Sequence, residues 1–309
     1  MIMQIVTDII KYDKRPCAAT IGSFDGVHRG HLAMLGELRA AAASKGLPLM
    51  VVTFATHPRR LFDKECEPFL LTRACDRLGL LEAAGVDICV LLDFDRSMAA
   101  MSAAQFMSEV LVGRLGVQLL AVGYDHHFGK PTAGEGLEQY IAYGKELGVE
   151  VLGTQPFVVD GVAVSSSAVR RALSVGDVAL VASLLGRTFS LTGTVVHGAG
   201  IGRVLGFPTA NIFPADGGQM LPLDGVYEAD VTIDGNTFKG VMNIGVKPTV
   251  ASGKERTLEV HILDFEGDLY GREVSVAFVR RLRGEQSFDN VNALRFQIEV
   301  DIARVKRGI

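Results

Sequence analysis

Two histidines three residues apart, His28 and His31, follow an apolar run that ends in Gly22-Ser23-Phe24-Asp25-Gly26. The pattern is a strand entering a glycine-bearing loop, with a helix starting at about Gly30. Backbone N–H groups at a helix start attract anions, and side chains three apart share a helical face. Neutral imidazoles donating hydrogen bonds from there would stabilise charge building on a phosphate. Farther along, Gly198, Gly200 and Gly202 punctuate a loop between strand-like segments. Glycines in such a loop let backbone amides approach phosphates, and because they open no helical pattern they are not a dinucleotide fingerprint. In Leu258-Glu259-Val260-His261-Ile262 the apolar residues alternate, which leaves Glu259 and His261 on the face away from the core. A carboxylate so placed can take the proton of a substrate hydroxyl, as phosphoryl transfer to an alcohol requires. Taken singly, each feature has a plain structural reading: cap and turn histidines, a loop of glycines, a solvated strand glutamate.

The elements that must position these residues show two rhythms. Up to residue 185, apolar runs at Ala18–Ile21, Leu49–Phe54, Ile88–Leu92, Leu119–Val122 and Glu150–Leu152 alternate with helical patterns. The helix candidates are His31–Ser44, Arg73–Ala84, Ala103–Leu115 and Leu137–Leu147, each ending near a glycine followed by an apolar stretch. Strand–helix alternation with fully apolar strands predicts a parallel sheet covered on both faces, a Rossmann-like α/β domain with ligands beyond the carboxyl ends of its strands. After about Gly186 the period becomes two: Tyr227, Ala229, Val231 and Ile233 face one way, Glu228, Asp230 and Thr232 the other, and Asp234-Gly235-Asn236 marks a hairpin turn. Thr257–Leu263 and Glu273–Val279 repeat that period, and Val291, Leu294, Ile298, Ile302 and Val305 then recur at helical spacing. This half predicts an antiparallel β-barrel with a terminal helix. The expected domains are 1–185 and 186–309.

Composition narrows the function classes. The chain has 309 residues with 31 basic and 35 acidic side chains, for a net charge of −4. A pI near 6.0 argues against a nucleic-acid-binding protein, which needs a concentrated basic surface. No apolar run approaches the roughly 18–20 residues needed to span a bilayer. Asp8 interrupts the stretch where a signal peptide would be apolar. Cys17, Cys66, Cys75 and Cys89 show no metal or redox spacing, so they read as reduced thiols of a cytoplasmic protein.

Several segments carry a family resemblance. Gly22-Ser23-Phe24-Asp25-Gly26-Val27-His28-Arg29-Gly30-His31 resembles the H-x-G-H nucleotidyltransferase motif in its bacterial FAD synthetase form. Ser165-Ser166-Ser167-Ala168-Val169-Arg170 is similar to that family's S-S-T-x-I-R, with Ser167 for Thr and Val169 for Ile; hydroxyls and an arginine at a helix start suit a triphosphate tail. Thr53-Phe54-Ala55-Thr56-His57-Pro58 resembles T-F-x-x-H-P, and Gly123 to Gly129 resembles V-G-x-D-F-R-F-G, except that His126 and His127 replace Phe and Arg. The His126-His127 pair has no assigned role, since a metal site would need a third ligand that the sequence does not identify. In the second half, Gly198 to Asn211 resembles the riboflavin kinase motif G-x-G-R-x-L-G-F-P-T-A-N, followed by blocks at Leu221–Tyr227 and Asn243–Thr249 that resemble the next two of that family.

Together these segments resemble the prokaryotic bifunctional riboflavin kinase/FMN adenylyltransferases over nearly the whole chain. The resemblance implies that residues 186–309 phosphorylate riboflavin with ATP and Mg²⁺ to FMN, and that residues 1–185 transfer AMP from a second ATP to FMN, giving FAD and pyrophosphate. It implies catalytic roles for His28, His31 and Glu259. Nucleotide binding falls to Gly22, Phe24, Asp25, Ser165, Ser166, Ser167 and Arg170 in the first half, and to Gly198, Gly200, Gly202 and Arg203 in the second. His57 and Asp125 are implied flavin contacts, and Thr209 and Asn211 metal ligands. The expected partners are riboflavin, FMN and ATP, with no nucleic acid or membrane, for a monomer or weak homo-oligomer. Two alternatives remain open at this point: a kinase with a degenerate adenylyltransferase site, and a flavin-binding protein without turnover.

Overall fold

The structure, a computed structural model, describes residues 2–62, 69–124, 128–130, 136–198, 200–249 and 253–308. Backbone packing divides the chain into two compact units, Met1–Glu67 with Thr72–Ser166, and Pro68–Leu71 with Ser167–Ile309. The helices Ser166–Ser174 and Val178–Leu185 thus go almost wholly with the second unit.

The first unit is built on a parallel sheet of β1 (Gln4–Val6), β2 (Cys17–Ile21), β3 (Leu49–Phe54), β4 (Ile88–Leu92), β5 (Val117–Val122) and β6 (Glu150–Gly153), in the order β1-β4-β3-β2-β5-β6. Strands β2 and β3 are buried at every position because both faces of the sheet are covered. Cys17, Ala19, Ile21, Met50, Val52 and Val90 pack on one side with Phe106, Val110 and Tyr140. Ala18, Val51, Cys89 and Leu119 pack on the other with Met34, Leu35, Leu38 and Leu81. The glycines that end the four helical patterns, Gly46, Gly85, Gly116 and Gly148, all have positive φ. The helix expected over Ala103–Leu115 is different in kind. After one turn capped by Ser102 it becomes a π-helix over Phe106–Val112, in which Gly113 N–H reaches the Ser108 carbonyl. A hairpin of β7 (Val158–Val159) and β8 (Val162–Ala163) follows the sheet.

The second unit holds a closed antiparallel barrel of β9 (Ser190–Val196), β10 (Ala210–Pro214), β11 (Gly225–Ile233), β12 (Asn236–Thr249), β13 (Gly253–Ile262) and β14 (Glu273–Arg283), in the order β10-β13-β12-β11-β14-β9. Closure removes the exposed sheet edges. Tyr227, Ala229, Val231 and Ile233 point into the core as their alternation requires. Glu228 departs from the solvated face expected of it: it is buried, with the Arg280 guanidinium 2.6 Å away and the Lys239 ammonium at 3.5 Å. Asp234 and Gly235, both at positive φ, close the tight turn between β11 and β12. The terminal helix, Val291–Arg307, buries Val305 and Asp301 but leaves Val291 61% exposed, so its apolar stripe is used mainly in the last turns. The Gly198–Asn211 loop, read from sequence as opening no helix, contains one helical turn, Ile201–Val204.

Burial pushes the Cys17 thiol up to about 12 and the Cys89 thiol up to about 11, so both stay protonated and unreactive at neutral pH. Cys75 is exposed, and Cys66 lies outside the described residues. Brief alkylation at pH 7.5 followed by peptide mass spectrometry is expected to modify Cys75 and to spare Cys17 and Cys89. Rapid modification of the latter two would contradict the sheet packing.

Candidate active sites

The loop after β2 stands at the point where the strand order reverses, since β3 and β4 lie on one side of β2 and β5 and β6 on the other. The crevice beyond such strand ends is where open α/β sheets bind ligands. His28 caps the Arg29–Ser44 helix: its Nδ1 accepts the His31 backbone N–H at 3.2 Å. An accepting Nδ1 places the ring proton on Nε2, the tautomer that a donor to phosphate requires. The two imidazoles stack with centroids 3.6 Å apart and an interplanar angle of 13°, and Phe24 lies 4.8 Å from the His31 ring. A Cβ on Gly30 would sit 3.1 Å from the Val164 carbonyl, which is why this helix start takes a glycine. Gly22 and Phe24 shape the loop, while the Asp25 carboxylate is buried and accepts from the Thr72 N–H at 3.1 Å.

The serine segment meets this loop through Ser166, whose hydroxyl donates to the Asp25 carbonyl at 2.8 Å. Ser165 precedes it half-buried, and Ser167 is exposed on the first turn of the helix. Arg170 lies one turn on, in the second unit, with Nε donating to the Phe69 carbonyl at 2.9 Å and its guanidinium 5.7 Å from the Phe69 ring centre. His57, just past β3, accepts the Arg59 N–H on Nδ1 at 3.2 Å. Asp125, with His126 and His127, lies outside the described residues.

In the barrel, strand register assembles the second site. Asn211 on β10 stands opposite Glu259 on β13, and Glu259 stands opposite Asn243 on β12. Thr209 donates its hydroxyl to Glu259 Oε2 at 3.4 Å. Two clefts meet here. One, of about 370 Å³, is lined by Phe207, Thr209, Asn243, Glu259, Phe288 and Leu294 among others. The other, of about 450 Å³, includes Arg203, Thr209, Val260, Phe265, Asp268 and Tyr270. Thr209 belongs to both. The glycine loop lies directly on the polar row. A Cβ on Gly198 would collide with the Asn211 amide, and one on Gly202 with the Phe207 carbonyl, at 3.1 Å from the Thr209 hydroxyl oxygen. His261 bonds the Pro208 carbonyl through Nδ1 at 2.8 Å and so fixes the Pro-Thr turn.

The hydroxyl and amide oxygens of Thr209 and Asn211 are hard donors of the kind that suit Mg²⁺, and the bare glycines beside them leave room for a phosphate-bound ion. Sequence reasoning did not assign Asn243, although the Asn243–Thr249 block carried its signal. It also missed Phe288 and Leu294, whose place in the cleft depends on the terminal helix and has no local signature.

A parallel α/β unit with paired histidines at its switch point, joined to a barrel with a glutamate beside a glycine loop, defines a two-site nucleotide-dependent transferase. The FAD synthetase family model matches residues 10–168 and the riboflavin kinase model residues 185–309. The bifunctional riboflavin kinase/FMN adenylyltransferase of Pseudomonas fluorescens is 43% identical over 98% of this chain and 97% of its own. That of Escherichia coli K12 is 43% identical over 97% and 96%, and that of Bacillus subtilis 168 is 33% identical over 95% and 92%. A crystal structure of a Streptococcus pneumoniae protein described as a macrolide-efflux protein superposes with a TM-score of 0.88 at 29% identity, covering 99% of each chain. Among the described residues no helix is long and apolar enough to cross a membrane. The chain belongs to the bifunctional riboflavin kinase/FMN adenylyltransferase family, and it is an enzyme with both activities.

Proposed function

We propose that the kinase step takes place where the two barrel clefts meet, with the flavin in the cleft lined by Phe207, Phe288 and Leu294 and the nucleotide in the cleft lined by Arg203 and Tyr270. The observation that carries this is the polar row Asn211–Glu259–Asn243, with Thr209 shared by both clefts. A flavin hydroxyl is a neutral nucleophile with a pKa far above 7, and Glu259 takes its proton as the bond to the γ-phosphorus forms, the bond from that phosphorus to the β–γ bridging oxygen breaks and ADP leaves. Thr209 and Asn211 would hold Mg²⁺, which when bound offsets the charge of the transferring phosphates. Gly198, Gly200 and Gly202 let the loop backbone lie against the triphosphate, and Arg203 adds a cation.

In the first unit the nucleophile is the FMN phosphate, already an anion, so no base is required. Attack on the α-phosphorus of ATP forms the new phosphoanhydride and releases pyrophosphate. His28 and His31 donate hydrogen bonds to the α-phosphate as its charge rises. Gly22 and Phe24 shape the loop that receives it, with Asp25, and Ser165, Ser166, Ser167 and Arg170 anchor the phosphate tail. His57 and Asp125 take the flavin. The work is cytoplasmic, where ATP is supplied and the buried thiols stay reduced, and it is done by a monomer or weak homo-oligomer.

One incubation with riboflavin, ATP and Mg²⁺, followed by chromatography of the flavins, tests the proposal. FAD is the expected product; FMN alone would mean a degenerate first site, and unchanged riboflavin would mean a binder.

The functional boundary is proposed at 185/186, supported by the start of the riboflavin kinase match at 185. A fragment of residues 187–309 is expected to fold and convert riboflavin to FMN without making FAD. A 167–309 fragment, which keeps two helices of the second unit, is expected to unfold at a higher temperature. A folded 187–309 fragment that makes no FMN would contradict the proposed boundary.

A further inference from the structure

We propose that Arg77 is a positioning residue for adenylyl transfer, whose buried guanidinium clamps the ends of two neighbouring strands and holds the histidine loop in a strained shape. The inference rests on the adenylyltransferase role of that loop. Arg77 lies on the Ala74–Ala83 helix, yet is only 5% exposed. Its Nη1 donates to the Ser23 carbonyl at 3.1 Å, just past β2, and its Nη2 to the Phe54 carbonyl at 2.7 Å, the last residue of β3. The Thr53 hydroxyl also donates to the Ser23 carbonyl, at 3.2 Å. The start of the loop is therefore tied to the adjacent strand from two sides.

A second tie lies two and three residues on, at Asp25 and Gly26. Asp25 is 1% exposed, and its Oδ1 accepts from the Thr72 N–H at 3.1 Å and hydroxyl at 3.4 Å. The same Thr72 hydroxyl accepts the Gly26 N–H at 3.1 Å. Between and after these ties the backbone is strained: Phe24 has φ of 49° and Val27 φ of 35°. Positive φ at a β-branched residue is a true outlier, and it persists only where the surroundings over-determine it. The strained segment leads directly into the His28 cap and the stacked His28–His31 pair. Burial pulls the Arg77 pKa below its usual value while the nearby Asp25 charge pushes it back up. Arg77 need not touch substrate; it sets where the imidazoles stand.

A group that acts only by placing donors for the transition state changes turnover more than ground-state binding. Arg77→Met is expected to lower kcat for FMN adenylylation by about 10²-fold. KM for ATP and for FMN should stay within about threefold. The kinase rate of the same protein should be unchanged. Arg77→Lys should recover part of the loss, since an ammonium still donates to one of the two carbonyls but cannot span both as the guanidinium fork does. Thr72→Val keeps the side-chain shape but removes the hydroxyl shared by Gly26 and Asp25, and should lower the same kcat by about tenfold.

Full-speed adenylylation by a folded Arg77→Met protein would overturn the proposal, as would a loss that falls on KM alone or that Arg77→Lys does not partly recover. If Arg77→Met does not fold, Thr72→Val decides: a fall in kcat at unchanged KM supports the clamp, and normal kcat overturns it. If the unsubstituted enzyme makes no FAD from FMN and ATP, the adenylyltransferase role itself is lost, and the clamp with it; that result needs no variant.

Discussion

Glu259→Gln is expected to slow riboflavin phosphorylation by about 10²–10⁴-fold, the usual worth of a general base. The amide keeps the size of the side chain and can still accept from the Thr209 hydroxyl, which lies 3.4 Å from the carboxylate in the native enzyme. What it loses is the capacity to take a proton. Glu259 is half-buried on the site face of β13, with Leu258 and Val260 holding the strand in the core, so folding should be preserved. ATP binding should change little, because the proposed nucleotide site is the Gly198–Asn211 loop rather than the substituted carboxylate. Supplying FMN directly should restore FAD synthesis in full, since the first site acts on a phosphate that already exists. Near-normal FMN formation, measured by steady-state flavin chromatography, would return Glu259 to the status of a solvated strand residue.

His31→Ala is expected to cut FAD formation from FMN by about 10²–10³-fold, the effect of removing one donor aimed at developing charge. The His31 backbone N–H still meets His28 Nδ1, so the helix cap survives, and the loss is confined to the ring that stacks on His28 and touches Phe24. FMN formation from riboflavin should stay within a few-fold. Equal loss of both activities would point to misfolding or to one shared site.

The parts of both sites that are legible in sequence are those set by local periodicity. A buried strand, a glycine and histidines three apart mark the first loop; strict alternation places Glu259 on the face away from the core. The long strand β12 is not legible, because Gly240, Gly245 and Pro248 interrupt its pattern and its polar Asn243 faces a site rather than solvent. The π-helix over Phe106–Val112 is hidden for a different reason. Its apolar spacing reads equally well as an α-helix; in the fold Phe106, Met107, Val110 and Leu111 of the wider turns pack into the sheet's core, with Phe106 beside Phe128. Glu228 reads as a solvated charge and Arg77 carries no sequence signal, since their burial depends on partners 52 and 54 residues away. Chemistry carried by short motifs is visible early; chemistry that depends on long-range ties, such as the Arg77 clamp, needs the fold.

Two independent sites on one chain, linked only by FMN, should complement each other between molecules. Mixing the Glu259→Gln and His31→Ala proteins with riboflavin, ATP and Mg²⁺ tests it most directly. Alone, the first should leave riboflavin unconverted and the second should stop at FMN. Together they should make FAD, because FMN released by the His31→Ala protein is taken up by the intact first site of the Glu259→Gln protein. A mixture that makes no more FAD than either variant alone, while each variant remains folded, would contradict the account.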